Sequence, residues 1–334
     1  MNKLVSIVII NWNNKKYIDR CMEAIMAQSY SPMEIIFIDN NSKDCSYEHF
    51  GNTYSKDKCI AVKNKENLGY SGAANQGINM AKGEYIMILN PDIVMEWNFV
   101  EKLCTFMEGD MEIGAVSGKL LKYDFEKNTR LNYIDSAGIE IYRDRTSRDI
   151  GQNEEDKGQY NSTRRVFGIC GAAPMYRKSA LADIAVNGEY FDEDFFAYKE
   201  DIDLSWRLNL AGFKCMYYPE AVAYHGRGLG GVRGGIWKVI KNRNSQSKFL
   251  RGISSRNQLM LLFKNEQGKP MRRDIFKIYL RVLKMVVFSL AFERFNFQYM
   301  FQAIKLRKKM KEKKLLFLEN HRGRVADIDF LITR

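Results

Sequence analysis

Four carboxylates and one histidine are the side chains of this sequence with the clearest potential for chemistry. Asp39 and Asp92 each come directly after a short run of apolar residues. Glu200 and Asp201 are neighbours, and His225 lies among small residues. Carboxylate oxygens bind hard divalent cations, imidazole nitrogens bind transition metals, and a positioned carboxylate removes the proton of a hydroxyl group. These residue types therefore predict metal binding, general base catalysis or both.

The segment Asn90-Pro91-Asp92 follows an apolar run, Tyr85 to Leu89. Such a run is too short to span a membrane and is typical of a strand buried on both faces of a sheet. In open α/β sheets, ligands bind just outside the carboxyl ends of the strands, so we expect Asp92 at a ligand crevice. Pro91 ends the strand because it lacks a backbone donor, and it fixes the turn that carries Asp92. An ordinary Asn-Pro-Asp turn is the alternative.

Two other predicted strands also end in polar residues. Residues 5–10 run into Asn11 and Asn13, and residues 34–38 run into Asp39. A stripe of apolar residues at helical spacing lies between these two strands. The alternation of strand and helix continues to about residue 120, which predicts right-handed crossovers and a mostly parallel sheet in an α/β fold.

The segment 66–83 is rich in small residues. Asn67 and Gly69 come just before a helix that is predicted to end at Gly83. Small residues at a helix N-terminus let the backbone approach a ligand, and the free N–H groups there attract phosphate. The signal for a phosphate loop is weak, because glycines also allow tight packing between elements.

The middle of the chain is less regular. Residues 122–165 are polar and aperiodic, which predicts loops or short edge strands over the crevice. Residues 166–175 are small and apolar, and they suit either backbone contact with a bound sugar or a core turn. An acidic and aromatic loop then leads into a helix that is predicted to begin near Glu200 and to end before Gly212. Acidic residues in a first helical turn also favour the helix dipole, so a purely structural role for them stays open.

The composition is that of a globular protein with one large core and a smaller appendage: 334 residues, 46% apolar and 28% charged. No apolar run approaches the roughly 18 residues that span a bilayer. No small-residue cleavage site follows the first apolar run, so we expect a cytoplasmic protein. The six cysteines lack Cys-x-x-Cys spacing. This argues against structural zinc and predicts reduced, mainly buried thiols.

Charge divides the chain near residue 230. Residues 1–230 hold 27 Lys and Arg against 33 Asp and Glu, a net charge of −6, whereas residues 231–334 hold 25 against 7, a net charge of +18. We therefore divide the chain into a first domain, 1–230, and a basic, mainly helical C-terminal region, 231–334. Such asymmetry predicts that the second part meets a polyanionic partner, such as a membrane surface or nucleic acid.

Apolar residues of the C-terminal region recur at helical spacing, at Ile275, Ile278, Tyr279, Val282, Val286 and Leu290. Lys277, Arg281 and Lys284 lie on a different face, and a second basic run follows at 305–314. The pattern predicts a basic amphipathic helix. Because no nucleic-acid-binding signature is present, we expect an anionic membrane surface as partner and no nucleic acid. The alternative is that the apolar stripe packs on the first domain and the lysines are solvated.

Five segments, taken in order, resemble the motifs of inverting family 2 glycosyltransferases, and most closely the rhamnosyltransferase-type group. They are FIDNNS around Asp39, NLGYSGAANQG from Asn67, NPD at 90–92, FFAYKEDIDLSWR around Asp201, and YHGRG at 224–228. The resemblance covers residues 4 to about 230. It implies a GT-A fold, in which a Rossmann-like nucleotide-binding sheet is fused to an acceptor-binding half. It also implies transfer of a sugar from a nucleotide diphosphate donor with a divalent cation.

In this resemblance, Asp92 matches the metal-binding position of the family's Asp-x-Asp motif, and His225 matches a histidine that ligates the cation. The sequence departs from the motif at its first acidic position, where it has Asn90. A neutral amide hydrogen-bonds a ribose hydroxyl but binds metal weakly, so a further ligand becomes more important. A cation near the diphosphate neutralises the leaving group. Mn²⁺ or Mg²⁺ is expected, and an imidazole ligand favours Mn²⁺ somewhat.

The resemblance also implies a nucleotide site. Asp39 contacts the base, Asn11 and Asn13 lie beside base and ribose, and Asn67 with Gly69 lies near ribose and diphosphate. A carboxylate that accepts an imide N–H selects uracil or thymine over purines, which predicts a UDP-sugar or dTDP-sugar donor. Capping of the following short helix is the alternative role of Asp39.

Asp201 matches the second residue of the family's Glu-Asp motif and is the predicted general base, with Glu200 as its orienting neighbour. A carboxylate that removes the acceptor's proton contributes about 10² to 10⁴ in rate. One-step displacement then inverts the anomeric configuration. Arg207 is expected to pair with an acidic residue on its own helix or with phosphate. Paired carboxylates also occur in glycosidases, but those enzymes need no nucleotide site.

The expected activity is transfer of a hexose, by resemblance rhamnose from dTDP-rhamnose, to a hydroxyl of a lipid-linked or cell-envelope glycan. An acceptor of this kind, for example polyprenol-linked, predicts a peripheral enzyme of polysaccharide biosynthesis at the inner face of the cell membrane. A catalytically inactive sugar-nucleotide-binding or scaffold protein of glycan assembly is the alternative. The presence of both Asp92 and Asp201 argues against it.

Overall fold

A ten-stranded sheet forms the centre of the molecule, whose computed structural model describes residues 2–54, 59–227 and 247–333. The described strands are, in chain order, β1 (Val5–Asn11), β2 (Met33–Asp39), β3 (Cys59–Lys63), β4 (Tyr85–Leu89), β5 (Ile93–Met95), β6 (Ile113–Asp124), β7 (Thr129–Ser136), β8 (Ile139–Tyr142), β9 (Ser147–Asp149), β10 (Arg164–Val166), β11 (Met175–Arg177), β12 (Lys214–His225) and β13 (Ile332–Thr333). The central sheet has the order β10-β12-β6-β11-β4-β1-β2-β3, with β5 paired to β12 and β7 paired to β6. The strands β8, β9 and β13 form a second sheet.

Helices cover this sheet and form the C-terminal region. The described α-helices are, in chain order, α1 (Lys15–Met26), α2 (Ser46–Tyr54), α3 (Gly69–Met80), α4 (Phe99–Glu108), α5 (Lys178–Asp183), α6 (Glu200–Leu210), α7 (Lys248–Asn265), α8 (Gly268–Phe292) and α9 (Asn296–Asn320). The predicted helix from Glu200 is confirmed. The helix predicted to end at Gly83 ends at Met80, because Ala81 has extended backbone geometry. Among the described helices, none has a stretch long and apolar enough to cross a bilayer.

The first half of the sheet is parallel, as the alternation of strands and helices predicts. The strand β1 pairs in parallel with β2 and β4, and β2 pairs in parallel with β3. Every residue of β1 and β4 is buried, as expected for strands with helices on both faces. Asn11 is the register partner of Asp39, so the polar ends of these strands meet at one edge of the sheet.

The second half of the sheet is mixed, so the prediction of a mostly parallel sheet holds only for the first half. The strand β11 runs antiparallel to β4 and β6, and both β5 and β10 run antiparallel to β12. Only β6 and β12 are parallel in this half. The reason is that three-residue strands here join the sheet without a helical crossover, which parallel pairing of consecutive strands requires.

Residues 122–165 contain the short strands that the sequence allowed. The strand β7 pairs with the end of β6 through two register shifts, and β8 pairs with β9. The segment 166–175, which suited either sugar contact or a core turn, is buried apart from the half-buried Gly171. All six cysteines are free, and four of them are buried, as predicted.

The C-terminal helices share a core with the sheet. Leu259 and Met260 of α7, together with Met310 and Phe317 of α9, belong to the apolar cluster that includes Val8 of β1. The strand β13 returns to pair with β8. The predicted domain boundary at 230/231 lies outside the described residues, as does Gly228 of the YHGRG segment.

The helix α8 is the most exposed of the three. Of the apolar stripe predicted there, Ile278 is buried and Val282 and Val286 are half-buried, whereas Ile275, Tyr279 and Leu290 are more than half exposed. Phe276, which the stripe did not include, is 73% exposed. Packing within the protein therefore buries only one face of this helix and leaves its other apolar residues exposed.

Part of the second basic run faces the first domain rather than solvent. The ammonium group of Lys313 is 3% exposed and lies 2.6 Å from the Asp192 carboxylate and 2.8 Å from the Asp194 carboxylate. Lys309 also pairs with Asp194 at 2.7 Å. These lysines neutralise an acidic edge, because buried carboxylates require a paired cation. The basic run is therefore less free to meet another partner than its sequence suggests.

Candidate active site

His225 lies between two carboxylates at the end of β12. Its Nδ1 is 2.7 Å from Asp135 of β7, and its Nε2 is 3.4 Å from Asp92. The backbone N–H of Gly226 donates to the carbonyl of Asp92 at 2.8 Å, which holds the Asn-Pro-Asp turn against this strand. The structure thus brings together Asp92 and His225, which are distant in sequence.

The imidazole of His225 is almost fully buried, and so is the Asp135 carboxylate. Burial alone lowers the pKa of His225, but Asp92 and Asp135 together raise it to about 9. The ring therefore carries a positive charge near neutral pH when no cation replaces its proton. Sequence reasoning missed Asp135, because it lies in a polar, aperiodic segment and no local signal marks its side chain as buried.

The donor set at Asp92 fits a hard divalent cation. The Asp92 side chain is 24% exposed, and Asp135 holds the far nitrogen of His225, which directs the near nitrogen towards Asp92. Among the described residues no group of three or more His, Cys, Asp or Glu side chains is placed to hold a metal ion. Two protein ligands suffice where phosphate oxygens and water complete the coordination. The metal role of Asp92 and His225 stays a prediction.

Arg227 connects this cluster to a further carboxylate. Its Nη1 lies 3.2 Å from Asp149 of β9 and 3.9 Å from Asp135. Burial raises the pKa of Asp149, and Arg227 opposes that shift. Neither Arg227 nor Asp149 was singled out from the sequence, although Arg227 stands inside the YHGRG segment. A guanidinium in this position supplies positive charge beside the predicted cation site.

The predicted base and its neighbour begin the helix α6. Glu200 is buried, and its Oε2 has no hydrogen-bond partner among the residues that the structure describes. Asp201 is half-buried and accepts a 2.8 Å hydrogen bond from the N–H of Ile202. Burial raises the pKa of both carboxyl groups; Asp149 adds to the shift at Asp201, and Asp201 adds to the shift at Glu200. Asp201 is the more accessible of the two, as a group that meets a substrate must be.

The loop before α6 has an unusual backbone. Phe196, Tyr198 and Lys199 all have positive φ values, 64°, 68° and 73°. Asn257 of α7 holds this loop, since its amide donates to the carbonyls of Phe195, Ala197 and Tyr198 at 2.7 to 2.8 Å. The C-terminal region thus positions Glu200 and Asp201. Nothing in the sequence near Asn257 indicated this role.

The other acidic residue of the first turn of α6, Asp203, has a structural role. Its carboxylate accepts hydrogen bonds from Arg207 and Lys264 and from the amide of Asn265, at 2.8 to 3.0 Å. Arg207 therefore pairs with an acidic residue on its own helix, which was one of its two expected partners.

Asp39 is fully buried at the end of β2. Its Oδ2 accepts a 2.9 Å hydrogen bond from Asn11 Nδ2, and its Oδ1 accepts one of 2.9 Å from the N–H of Ser42. The second bond closes a turn after β2 and does not cap the following helix, which begins at Ser46 and whose first N–H donates to Asp44. Contact between Asp39 and a nucleotide base requires this loop to open, so the base-binding role stays a prediction.

The remaining predicted nucleotide residues stabilise neighbouring loops. The Oδ1 of Asn13 accepts from the N–H of Lys43, and the Oδ1 of Asn67 accepts from the N–H of Gly69. Asn40, which the sequence reasoning passed over, donates to Asn67 Oδ1 and to the carbonyl of Gly69 at 2.9 Å. These bonds join the loops after β2 and β3 into one wall.

Two predicted positions have specific backbone roles. Gly69 has φ +73°, and a Cβ there would lie 2.4 Å from the carbonyl oxygen of Phe196, so close packing explains this glycine. Asn90 donates its N–H to Ala172 at 2.9 Å and accepts from the N–H of Ile93, which fixes the turn before Asp92. The nucleotide contacts predicted for Asn11, Asn13, Asn67, Gly69 and Asn90 stay predictions.

Two curated proteins are similar to part of this chain. The chain is 27% identical over 234 residues to poly-beta-1,6-N-acetyl-D-glucosamine synthase of Staphylococcus aureus strain COL, an alignment covering 70% of this chain and 52% of the relative. It is 35% identical over 125 residues to glycosyltransferase GlyG of Streptococcus pneumoniae serotype 4, covering 37% of this chain and 41% of that protein. The chain thus aligns with about half the length of these relatives.

Solved structures with the same fold have lower sequence identity. TarS 1-349 of S. aureus in complex with UDP-GlcNAc superposes with a TM-score of 0.57 at 14% identity, covering 96% of this chain and 90% of that one. The mannosyltransferase PcManGT of Pyrobaculum calidifontis, with GDP-Man and Mn²⁺, superposes with a TM-score of 0.53 at 14% identity, covering 96% and 86%. These likenesses establish the GT-A fold. The model of "Glycosyl transferase family 2" matches residues 6–185, from β1 through α5, so this chain belongs to glycosyl transferase family 2.

Proposed function

We propose that this protein transfers a sugar from a nucleotide diphosphate donor to a hydroxyl of a lipid-linked or cell-envelope glycan, with inversion at the anomeric carbon. One observation carries the proposal. Asp92, His225 and Arg227 cluster at the carboxyl edge of the sheet, and Arg227 pairs at 3.2 Å with Asp149, which after burial is the largest cause that raises the pKa of Asp201 on helix α6. A site for an anionic leaving group thus lies near a candidate base.

The first half of the site handles the leaving diphosphate. Asp92 and His225 would hold a Mn²⁺ or Mg²⁺ ion, which would supply positive charge for the departing diphosphate. Asp135 keeps the His225 ring in the orientation that binds, and Arg227 adds a donor for phosphate oxygens. Without Asp135, His225 loses both its orientation and a partner for its Nδ1.

The second half of the site activates the acceptor. Asp201 takes the proton of the attacking hydroxyl, and the raised pKa of its carboxyl group makes it a stronger base than an ordinary aspartate. Glu200, buried beside it, keeps Asp201 in a low-dielectric setting and orients it. Attack from the side opposite the diphosphate then inverts the configuration in one step.

The donor is a UDP-sugar or a dTDP-sugar such as dTDP-rhamnose. Asp39 would select a pyrimidine imide, provided that the loop at Ser42 opens to admit the base. The TarS complex with UDP-GlcNAc supports UDP over dTDP. The PcManGT complex with Mn²⁺ supports a divalent cation.

The acceptor side supports a place at the inner face of the cell membrane. The exposed apolar residues of α8, including Phe276 and Tyr279, together with Lys277 on the same helix, form a basic amphipathic surface. Such a surface suits peripheral attachment to anionic lipid. The enzyme would then meet a lipid-linked acceptor in the plane of the membrane.

A thermal-shift panel tests the donor site. UDP or dTDP with Mn²⁺ or Mg²⁺ should raise the melting temperature more than ADP or GDP with the same ion, because a ligand that binds only the folded state stabilises it. Asp39→Ala should flatten that preference, whereas Asp44→Ala, a neighbouring carboxylate outside the predicted site, should preserve it. Equal shifts for all four nucleotides would remove Asp39 from the base site, and no shift with any of them favours a catalytically inactive scaffold.

A further inference from the structure

A cavity of about 570 Å³ lies beside α7 and α8, next to the loop that carries Asp201. Its walls come from Lys199, from α7, from α8 and from the start of α9, and we name it the α7–α8 cavity. Its volume lies within the range of about 300 to 1,000 Å³ that small-molecule sites occupy. Because Lys199 immediately precedes α6, this cavity adjoins the segment that presents the predicted base.

One wall of the cavity is cationic. Lys199, Arg281 and Lys284 all line it. Burial lowers the pKa of Lys199, Asp201 opposes that shift, and the charge of Arg281 lowers the pKa further, so the two cations lie within electrostatic reach of each other. Within the described part of the chain, neither Arg281 nor Lys284 has a carboxylate partner. Cations that face a cavity without partners favour an anionic occupant.

The other wall is apolar and continues to the protein surface. It includes Leu283, Val287, Phe288 and Phe292 of α8. Leu283, Val287 and Phe292 are 43%, 55% and 48% exposed, so this wall merges with the exposed apolar face of the same helix. A contiguous apolar surface of this kind marks a site for an apolar ligand, a protein or a membrane.

We propose that the α7–α8 cavity binds the acceptor, and that the acceptor is an anionic glycolipid in which phosphate joins a sugar to a long hydrocarbon chain. Its phosphate lies among Lys199, Arg281 and Lys284, and its chain lies along Val287 and Phe292. The sugar then points past Lys199 towards Asp201. This inference rests on the proposed glycosyl transfer, since it names the class of acceptor for that reaction.

The combination of the two walls decides between ligand classes. A soluble polysaccharide would leave the apolar wall in water, and inorganic phosphate would leave it equally exposed. An amphipathic peptide would cover the apolar wall but would leave the unpartnered cations without an anion unless it were acidic. A lipid phosphate provides an anion for the cationic wall and a hydrocarbon chain for the apolar wall. Its chain also continues along α8 towards the surface that we propose meets the membrane.

Binding of geranylgeranyl monophosphate to the full-length protein, below its critical micelle concentration, tests this assignment by calorimetry. Geranylgeraniol and inorganic phosphate are the comparison ligands, because each carries only one of the two chemistries. We expect saturable binding of the lipid phosphate alone. The double variant Arg281→Gln/Lys284→Gln should weaken it on the order of tenfold or more, since two charge-assisted contacts are lost. Lys269→Gln/Arg272→Gln removes the same charge from exposed positions of the same helix outside the cavity and should leave binding unchanged.

Val287→Asp provides an independent test of the apolar wall, because this half-exposed side chain can be replaced without loss of core packing. It should also weaken lipid phosphate binding on the order of tenfold, since the new carboxylate repels the phosphate and interrupts the apolar wall. No binding of the lipid phosphate, equal binding of geranylgeraniol or inorganic phosphate, or equal losses in the two double variants would overturn the inference.

Nucleotide binding, measured on the same samples, separates this inference from the proposed function. If UDP with Mn²⁺ binds and the lipid phosphate does not, the glycolipid assignment is wrong and the proposed transfer stands. If the lipid phosphate binds and no nucleotide does, the cavity is a lipid phosphate site but the proposed function, and with it the acceptor role, is wrong.

Discussion

Asp92 and Asp201 differ in surroundings in ways that predict different tasks. Asp92 faces the His225 imidazole. Burial raises the pKa of the Asp92 carboxyl group, but His225 and Arg227 outweigh burial, so this pKa is lowered. The pKa of Asp201 is raised by burial. A carboxylate that stays charged suits a cation, whereas one with a raised pKa suits proton transfer at neutral pH.

Substitution by the isosteric amide separates these two roles. Asp201→Asn should lower kcat by about 10² to 10⁴ and leave nucleotide affinity nearly intact. Asp92→Asn should weaken metal-dependent nucleotide binding as well, because it removes a charged oxygen ligand. Steady-state kinetics and calorimetric nucleotide titrations with and without Mn²⁺ measure both effects. His225→Ala should resemble Asp92→Asn in milder form.

If Asp201→Asn retains more than about a tenth of the wild-type turnover, the loss of rate is smaller than removal of a general base usually causes. Another group must then take the proton, and the buried Glu200 becomes the first candidate. Loss of nucleotide binding in Asp201→Asn but not in Asp92→Asn would reverse the assignment of the two sites.

The pH dependence of the reaction reports on the same carboxylate. Because the pKa of Asp201 is raised, first by burial and then by the negative charge of Asp149, the rate should fall with decreasing pH at values above the usual aspartate pKa of about 3.9. Asp149→Asn removes that charge, so the acid limb of the profile of kcat against pH should move to lower pH. Glu155→Gln, a surface carboxylate, should leave it in place. An unmoved or raised limb in Asp149→Asn would contradict this electrostatic coupling.

At the scale of elements, the C-terminal helices and the helix α6 depend on shared charges. Lys264 of α7 bridges Asp192 and Asp203 at 2.7 and 2.9 Å, and Lys313 of α9 adds a second cation to Asp192. Asn257 holds the loop that precedes α6. The helices α7 and α9 are therefore part of the support of the active site and not a separate attachment.

Lys313→Met should destabilise the protein by about 3 kcal/mol, because it leaves buried carboxylates without one of their cations. Burial raises the pKa of Asp192, but Lys264 and Lys313 outweigh it and lower that pKa. This lowered pKa stabilises the fold above the unfolded pKa of about 3.9, and the contribution is lost as pH falls. The destabilisation should therefore be largest near pH 7 and should shrink in acid.

Urea unfolding of the wild type and Lys313→Met at pH 7 and at about pH 2 measures this effect, because the contribution is lost only below the unfolded pKa of about 3.9. Lys308→Met, whose side chain is 91% exposed, is the matched control and should change stability by less than about 0.5 kcal/mol. Equal effects of the two substitutions would mean that the ion pairs of Lys313 contribute nothing beyond a surface charge.

At the scale of the whole molecule, the proposed function requires a surface that brings the protein to a lipid-linked acceptor. The exposed apolar residues of α8 and the basic residues beside them suit an anionic bilayer, to which each engaged basic residue contributes about 1 kcal/mol. Truncation after residue 270 is a poor test, because it removes Met300, Ala303 and Met310, which belong to the core. Substitutions on the exposed face of α8 keep that core intact.

We expect the full-length protein to co-sediment with anionic liposomes and to be released by high salt, because screening weakens attraction between the basic region and the lipid. Phe276→Ser/Tyr279→Ser should reduce binding, since both side chains are more than 60% exposed. Trp97→Ser/Met111→Ser removes equally exposed apolar groups from the first domain and should not. Equal sedimentation with neutral and anionic vesicles, or equal losses in both variants, would leave the membrane location unsupported.

The sequence by itself determined the local elements and the residues at their ends. The strand Tyr85–Leu89 and the helix Glu200–Leu210 follow from the length and period of their apolar residues, which a short window of sequence contains in full. In α/β sheets, the carboxyl ends of buried strands lie at the edge where ligands bind. The positions of Asp39 and Asp92 at that edge could therefore also be predicted from the sequence. The ordered motifs were enough to indicate the family, which the comparison confirmed.

Only the tertiary structure decided which charges meet. His225 pairs with Asp135, 90 residues away, through a strand whose register shifts twice, and Arg227 meets Asp149 across a separate hairpin. Lys313, part of the basic run for which an anionic membrane was the predicted partner, is instead buried against Asp192. Local periodicity carries no information about such pairs, because register and loop path are set by the packing of the whole sheet. The electrostatic partners of a site are therefore visible only once distant segments have been brought together.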